Sequence, residues 1–198
     1  MRQLLLIISA LVAMSSTYRT GSGKALNRWV VESSSSLNIE GSSNINDFKC
    51  DITEYIMHDT LCYNKEDRTS RLAFINSCVT LDVKRFDCHH KYITNDLRKT
   101  LKADQYPLLK IHFLFMDHFS PDADNAKVVG TIDIALAGVV KRTQVQFLVK
   151  KGEGRIHLTG EKHLKFSDFG LVPPRKLAGL IRINEEITVN FLLKLRPI

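Results

Sequence analysis

Apart from one short stretch near its start, the 198-residue sequence has no long apolar run, and nowhere does it reach the ~20 consecutive apolar residues of a membrane-spanning helix. Asp168-Phe169-Gly170, the triplet with which protein kinases hold magnesium, also lacks company. There is no Gly-rich nucleotide loop, no Val-Ala-Ile-Lys strand and no His-Arg-Asp loop, so the triplet does not signify a kinase. Gly21-Ser22-Gly23-Lys24 is no phosphate loop either: Tyr18 stands five residues before Gly23, and Ala25 follows the lysine in place of Ser or Thr. The four cysteines include no C-x-x-C pair, which argues against zinc. None of the seven histidines lies in a nucleophile or metalloprotease motif, so they read as surface residues. No catalytic residue, metal or cofactor is therefore expected, and a metal-dependent enzyme is the weakest of the functional readings. The formal charge of +7 comes without a dense Lys/Arg stripe or interleaved aromatics. That balance excludes nucleic acid as the natural partner and suits transient contact with an anionic membrane surface.

The apolar stretch that does exist, Leu4 to Met14, follows Arg2 and precedes the small residues Ser15 and Ser16. This is the pattern of a signal peptide, expected over residues 1–16, with a polar Gly/Ser-bearing linker over 17–28 and one domain over 29–198. The expected location is periplasmic or secreted. In an oxidising compartment Cys50, Cys62, Cys78 and Cys88 are expected to pair. If 47–57 and 71–88 are strands, Cys78 and Cys88 are about 33 Å apart along one strand, far beyond the ~5.5 Å between the Cα atoms of a disulfide. Antiparallel hairpins keep the sum of paired residue numbers nearly constant. Cys50–Cys88 with Cys62–Cys78 satisfies this within one bulge; Cys50–Cys78 with Cys62–Cys88 does not.

From Trp29 onward the apolar period is two. Eight strands are expected: 29–40, 44–57, 71–86, 108–118, 126–137, 140–150, 154–166 and 186–195, separated by Gly-, Pro- and Asn-rich turns. Each has one apolar face, as in Ile132, Ile134 and Leu136, or Val189, Phe191 and Leu193. An even number of antiparallel strands with short connections can close on itself. The predicted fold is thus all-β, an eight-stranded antiparallel up-and-down, lipocalin-like barrel, with a two-sheet sandwich as the alternative. One segment breaks the period: Thr94–Leu101, with Thr94 as N-cap and Leu97 and Leu101 four apart, predicts a short helix covering a barrel end or flank. Gly130 and Gly160 sit at inward parity, either leaving room for a guest or allowing the sheet to kink. Strands of ten or more residues predict a tall, narrow, apolar lumen.

Five pieces in order bring a family into view: Leu37–Asn44 running into Phe48-Lys49-Cys50, then Val83–Cys88, Asn95–Pro107, Gly130–Val139 and Asp168-Phe169-Gly170. In these the chain resembles the YceI-like proteins, exported bacterial proteins with a lipocalin-like barrel associated with polyisoprenoid binding. The resemblance covers Trp29 to Leu195, departing at Cys88-His89-His90-Lys91 and Ala137–Lys141. It implies non-enzymatic binding, storage or transport of an isoprenoid-type lipid, a polyprenyl chain or a quinone tail. The candidate lumen residues are Phe48, Val79, Leu81, Ile111, Phe113, Phe115, Ile132, Ile134, Phe147, Phe191 and Leu193, with Phe169 near a mouth. Each also reads as plain barrel core. Asp168 is expected to cap backbone amides where Gly170 releases the chain and Pro173-Pro174 stiffen the loop. The competing reading is an exported interaction protein with a filled barrel and functional loops at 58–70 and 167–180. The oligomeric state is left open.

Overall fold

The computed structural model describes residues 26–52, 55–66, 70–120 and 124–198. The expected signal peptide and residues 17–25 of the expected linker lie outside the described residues. Among these the strands are β1 (Asn27–Val31), β2 (Ser36–Ser43), β3 (Asp47–Ile52), β4 (Thr60–Lys65), β5 (Leu72–Asp82), β6 (Leu108–Asp117), β7 (Ala126–Leu136), β8 (Val139–Gly152), β9 (Arg155–Lys165), β10 (Arg175–Lys176) and β11 (Ile181–Pro197). One α-helix, α1 (Lys91–Thr100), interrupts them.

These strands build a closed antiparallel barrel of eight staves. The long β11 closes it: one edge pairs with β9, and the other pairs first with β2 and then with β1. β1 and β2 are therefore two halves of one stave, broken at Glu32–Ser35. There Ser35, almost fully buried, accepts from the Lys194 amide and donates to its carbonyl, so the break leaves that backbone satisfied. β3 and β4 are likewise halves of the second stave. Thr60–Lys65, expected to lie in a loop, is a strand paired on both sides, with β1 and β5. The last two residues of the expected linker join the sheet too, since β1 begins at Asn27, and β11 begins at Ile181, ahead of the expected Glu186.

The staves do not keep one parity throughout. In β6 the inward residues are Leu109, Ile111 and Phe113, then Met116, because a bulge between Phe113 and Phe115 inserts an extra residue. Phe115, expected in the lumen, is consequently turned outward and more than a third exposed, with the Arg71 guanidinium 5.0 Å above its ring. Asn76, at φ 48°, marks a second irregularity, in β5, where Ile75 and Asn76 both face solvent.

The disulfides follow the same geometry. Cys50 and Cys88 are joined, and Asp51 and Asp87 exchange backbone hydrogen bonds beside them, the bridge that ties β3 to the chain leading into α1. Cys62 and Cys78 are free thiols, contrary to the expected second bridge. The β4–β5 ladder places Cys62 opposite Ile75, three residues short of Cys78, while Cys78 stands opposite His112 on β6. Ser77 occupies the intervening position, its hydroxyl accepting from the Cys62 amide and donating to the Cys62 carbonyl.

The helix starts earlier than predicted. Its N-cap is His90, and Thr94 lies a turn inside, where its buried hydroxyl accepts from the Cys88 amide. The disulfide-tethered Cys88 thus takes the acceptor that the sequence pattern assigned to the helix's own first turn. Leu97 and Leu101 both point into the barrel end, which α1 covers.

Candidate functional site

The barrel interior is divided across its middle by aromatic rings. Phe147 lies in the space left by two glycines on the flanking strands, so that a Cβ on either Gly130 or Gly160 would come within 2.7 Å of its ring. Neither glycine makes room for a guest; both make room for Phe147. Its ring neighbours are Phe113 and Phe191, with centroids 6.3 and 6.4 Å away. Below them Phe74, Trp29, Tyr63 and Phe119 continue the stack, with Trp29 only 4.3 Å from Tyr63, toward the end at which β1 and β11 meet, where Trp29, Tyr63 and Phe119 line a cleft of about 460 Å³ that Lys65, Lys151 and Arg155 also border. The tall continuous lumen expected from strand length is therefore replaced in this half by packed side chains.

The half covered by α1 is different. It contains a small cavity of about 40 Å³ whose fourteen lining side chains are all apolar. By the ~10–15 Å³ that one water needs, it could hold a few waters, but no polar partner would meet them. Its wall includes Ile111, Ile134, Phe169 and Phe191 from the expected lumen set, together with Leu97 and Leu101 of α1. Val79, Leu81, Phe113, Ile132, Phe147 and Leu193 are buried in the barrel core without lining it. Phe48 is half-buried at the rim, against the backbone of Gly41.

Outside this cavity, between α1, β3 and the β10–β11 hairpin, runs a groove of about 510 Å³. Phe48, Ile93, Pro174, Ile181 and Ile183 make its walls apolar, and Leu97 and Phe166 line both groove and cavity. Those two side chains lie between the surface groove and the cavity. The groove's mouth carries an ion pair, Lys176 Nζ to Asp96 Oδ1 at 2.6 Å, joining the hairpin to the helix. Leu97, Leu101 and Phe166 were legible in the sequence only as cover or strand end. Their place in the cavity wall depends on where the helix docks.

The Asp-Phe-Gly triplet shapes the floor of the loop beside this groove. The Asp168 carboxylate accepts from the Lys165 amide at 2.9 Å and pairs with Lys141 of β8. The Lys141 ammonium, then that amide bond, hold the carboxyl below the usual aspartate range. Phe169 is driven into the cavity wall, and Gly170, at φ 62°, adopts the left-handed conformation that ends the turn. Across the same end Gly138, at φ 82°, lies so close to Tyr106 that a Cβ would sit 2.8 Å from its ring. Two stretches remote in sequence, Asn95–Pro107 and Gly130–Val139, thus meet at this glycine. Among the described residues no three His, Cys, Asp or Glu side chains converge as a metal site would require. No described helix is long and apolar enough to cross a membrane.

The fold is shared with solved structures. A polyisoprenoid-binding domain from Saccharophagus degradans, implicated in plant cell wall breakdown, superposes with a TM-score of 0.62 at 15% identity, covering 87% of this chain and 99% of that one. BcnA of Burkholderia cenocepacia gives a TM-score of 0.52 at 14% identity, covering 81% and 95%. At such identities the likeness speaks for the fold alone. No curated protein matches the sequence. The model of the YceI-like domain, however, matches residues 30–195, from the first stave to the strand that closes the barrel, and on that extent the chain belongs to the YceI-like family.

Proposed function

We propose that this protein is a non-enzymatic binder of an isoprenoid-type lipid, a polyprenyl chain or the tail of a quinone, held in the α1 half of the barrel. The observation that carries the reading is the wholly apolar cavity separated from an apolar groove by only Leu97 and Phe166. Pockets for small organic ligands span ~300–1,000 Å³. The cavity is far smaller and the groove falls within that range, so the tail enters along the groove and displaces Leu97 and Phe166. Each apolar Å² removed from water contributes ~25 cal/mol, so a long hydrocarbon tail binds without a dedicated head-group contact. The shared fold with the polyisoprenoid-binding domain from Saccharophagus supports the choice of lipid. Storage, transport and presentation of cargo are all served by such a site. The periplasmic or secreted location belongs to the same proposal, supported by the Arg2-led apolar stretch and by the Cys50–Cys88 disulfide.

The test is native mass spectrometry and solvent extraction of protein purified without detergent, followed by titration with a polyprenol. Added mass matching a polyprenyl or quinone lipid is expected. Leu109→Phe, which fills the cavity from its wall, should lower loading while costing ~1–3 kcal/mol from overpacking. A protein that shows only its chain mass, and takes up no polyprenol when offered it, would overturn the proposal and favour the filled-barrel interaction protein.

A further inference from the structure

Among the described residues the five most exposed large apolar side chains are Val172, Tyr92, Leu180, Leu177 and Ile45, each at least 65% exposed. They come from three separate stretches of sequence, yet all gather around the groove mouth. Tyr92 and Leu177 line the groove, Ile45 lies between its lining residues Ser43 and Asn46, and Val172 precedes Pro174. Leu180 is stapled to the same rim, because Asn44 donates from its side-chain amide to the Leu180 carbonyl at 2.9 Å and accepts from the Arg182 amide at 2.8 Å. Leu177 and Leu180 form the tip of the β10–β11 hairpin, where Leu177, Ala178 and Gly179 all have positive φ. The backbone is thus held in a tight turn that projects both leucines outward.

Charge complements this surface. Between Arg175 and Arg182 the hairpin carries three cations and no acid, and Lys91 precedes Tyr92. Of the three, Lys176 is engaged by Asp96, while Arg175 and Arg182 are exposed beside the leucines. The nearby acids are Asp47, exposed, and Glu185, which accepts from the Ser167 amide. An aromatic and several aliphatic tips flanked by guanidinium groups match the interface of an anionic bilayer, where apolar tips enter the headgroup boundary and cations meet phosphate.

We infer that this end of the barrel, with Ile45, Tyr92, Val172, Leu177 and Leu180 as its apolar tips and Arg175 and Arg182 as its cations, docks on an anionic membrane surface so that the groove opens onto the lipid phase. The identity of the cargo rests on the lipid-binding reading above; the docking does not. The experiment is cosedimentation of the full protein with vesicles of phosphatidylglycerol mixed with phosphatidylcholine, and with phosphatidylcholine alone, all free of isoprenoid lipid. Binding to the anionic vesicles is expected, falling as salt rises from ~0.1 to ~0.5 M. Ile45→Asp/Leu180→Asp, whose two sites lie outside the groove lining, should weaken it ~tenfold or more with the melting temperature kept. Arg175→Glu/Arg182→Glu should weaken it on anionic vesicles alone. Polyprenol uptake from detergent by Ile45→Asp/Leu180→Asp separates docking from cargo binding, and is expected to match the unaltered protein. Absence of vesicle binding, undiminished binding by both double variants, or a dimer in solution that buries this face in place of vesicle binding would each overturn the inference.

Discussion

Asp168 shows how a single carboxylate can mislead as a motif and still matter. Flanked by Phe169 and Gly170 it imitates a metal ligand, but its partners are the Lys165 amide and the Lys141 ammonium. Replacing it with alanine removes a turn cap and a cross-strand ion pair, and we expect a loss of ~1 kcal/mol, seen as a drop of ~2–4 °C in melting temperature. The dependence on pH has a definite sign. The folded protein holds this carboxyl below its unfolded value, so the stabilisation is complete above the unfolded pKa of ~3.9 and disappears as pH falls through the lower folded value. The gap in melting temperature between the protein and Asp168→Ala should therefore be constant from neutral pH down to about pH 5 and close at more acidic pH. A gap unchanged under strong acid would show that Asp168 acts through packing. Two other residue readings turned on atoms outside their own strands. Gly130 and Gly160 serve Phe147 from the strand between them, and Phe115 faces out because of a bulge that no alternation of apolar residues announces.

At the scale of elements, most of the strands were legible because one apolar face recurs with period two. Boundaries failed where a long stave is broken. Glu32–Ser35 interrupts the first stave, and in the second β3 ends at Ile52 and β4 begins at Thr60; β4 reads as loop in the sequence because its outward face is polar and its inward face short. The helix was recognised from Leu97 and Leu101, but its start was misplaced. Thr94 resembles an N-cap in sequence and instead serves the Cys88 amide. The disulfide beside it pins β3 to the approach to α1, closing a sequence separation of 38 residues. Losing it through Cys50→Ser/Cys88→Ser should cost ~2–5 kcal/mol. The unaltered protein in reductant should fall to the same melting temperature as the double variant. Equal stability of the oxidised protein and the variant would mean that the bridge constrains nothing. The free pair, Cys62 and Cys78, predicts no corresponding change on reduction, because the ladder holds them out of register.

For the molecule as a whole, the consequence is a barrel with two unlike halves. One is packed with rings from Trp29 to Phe147 and ends in a cleft bordered by cations; the other holds a thin, wholly apolar void under α1. On the proposed function a tail loads into the second half, so hydrogen exchange should respond unevenly. With polyprenol bound, we expect altered protection in α1 and the β10–β11 hairpin, and little change in β1, β4 and the closing end of β11. A uniform rise in protection would place the ligand elsewhere or make its effect purely global. A bound tail should also raise the melting temperature with ligand concentration, as mass action requires. The sequence by itself determined the β class, the apolar-faced strands, the covering helix and the family resemblance, because each rests on local periodicity or on motifs read in order; Cys50–Cys88 came from a register argument whose other half, Cys62–Cys78, the structure overturns. Only the tertiary structure decided which end holds the wholly apolar cavity, that Phe147 occupies the space of two glycines, that Leu97 and Phe166 line both groove and cavity, and that exposed apolar tips from three stretches of sequence lie around one rim. Those are distances between residues far apart in the chain, fixed by bulges and stave breaks that shift facing without leaving a local signature.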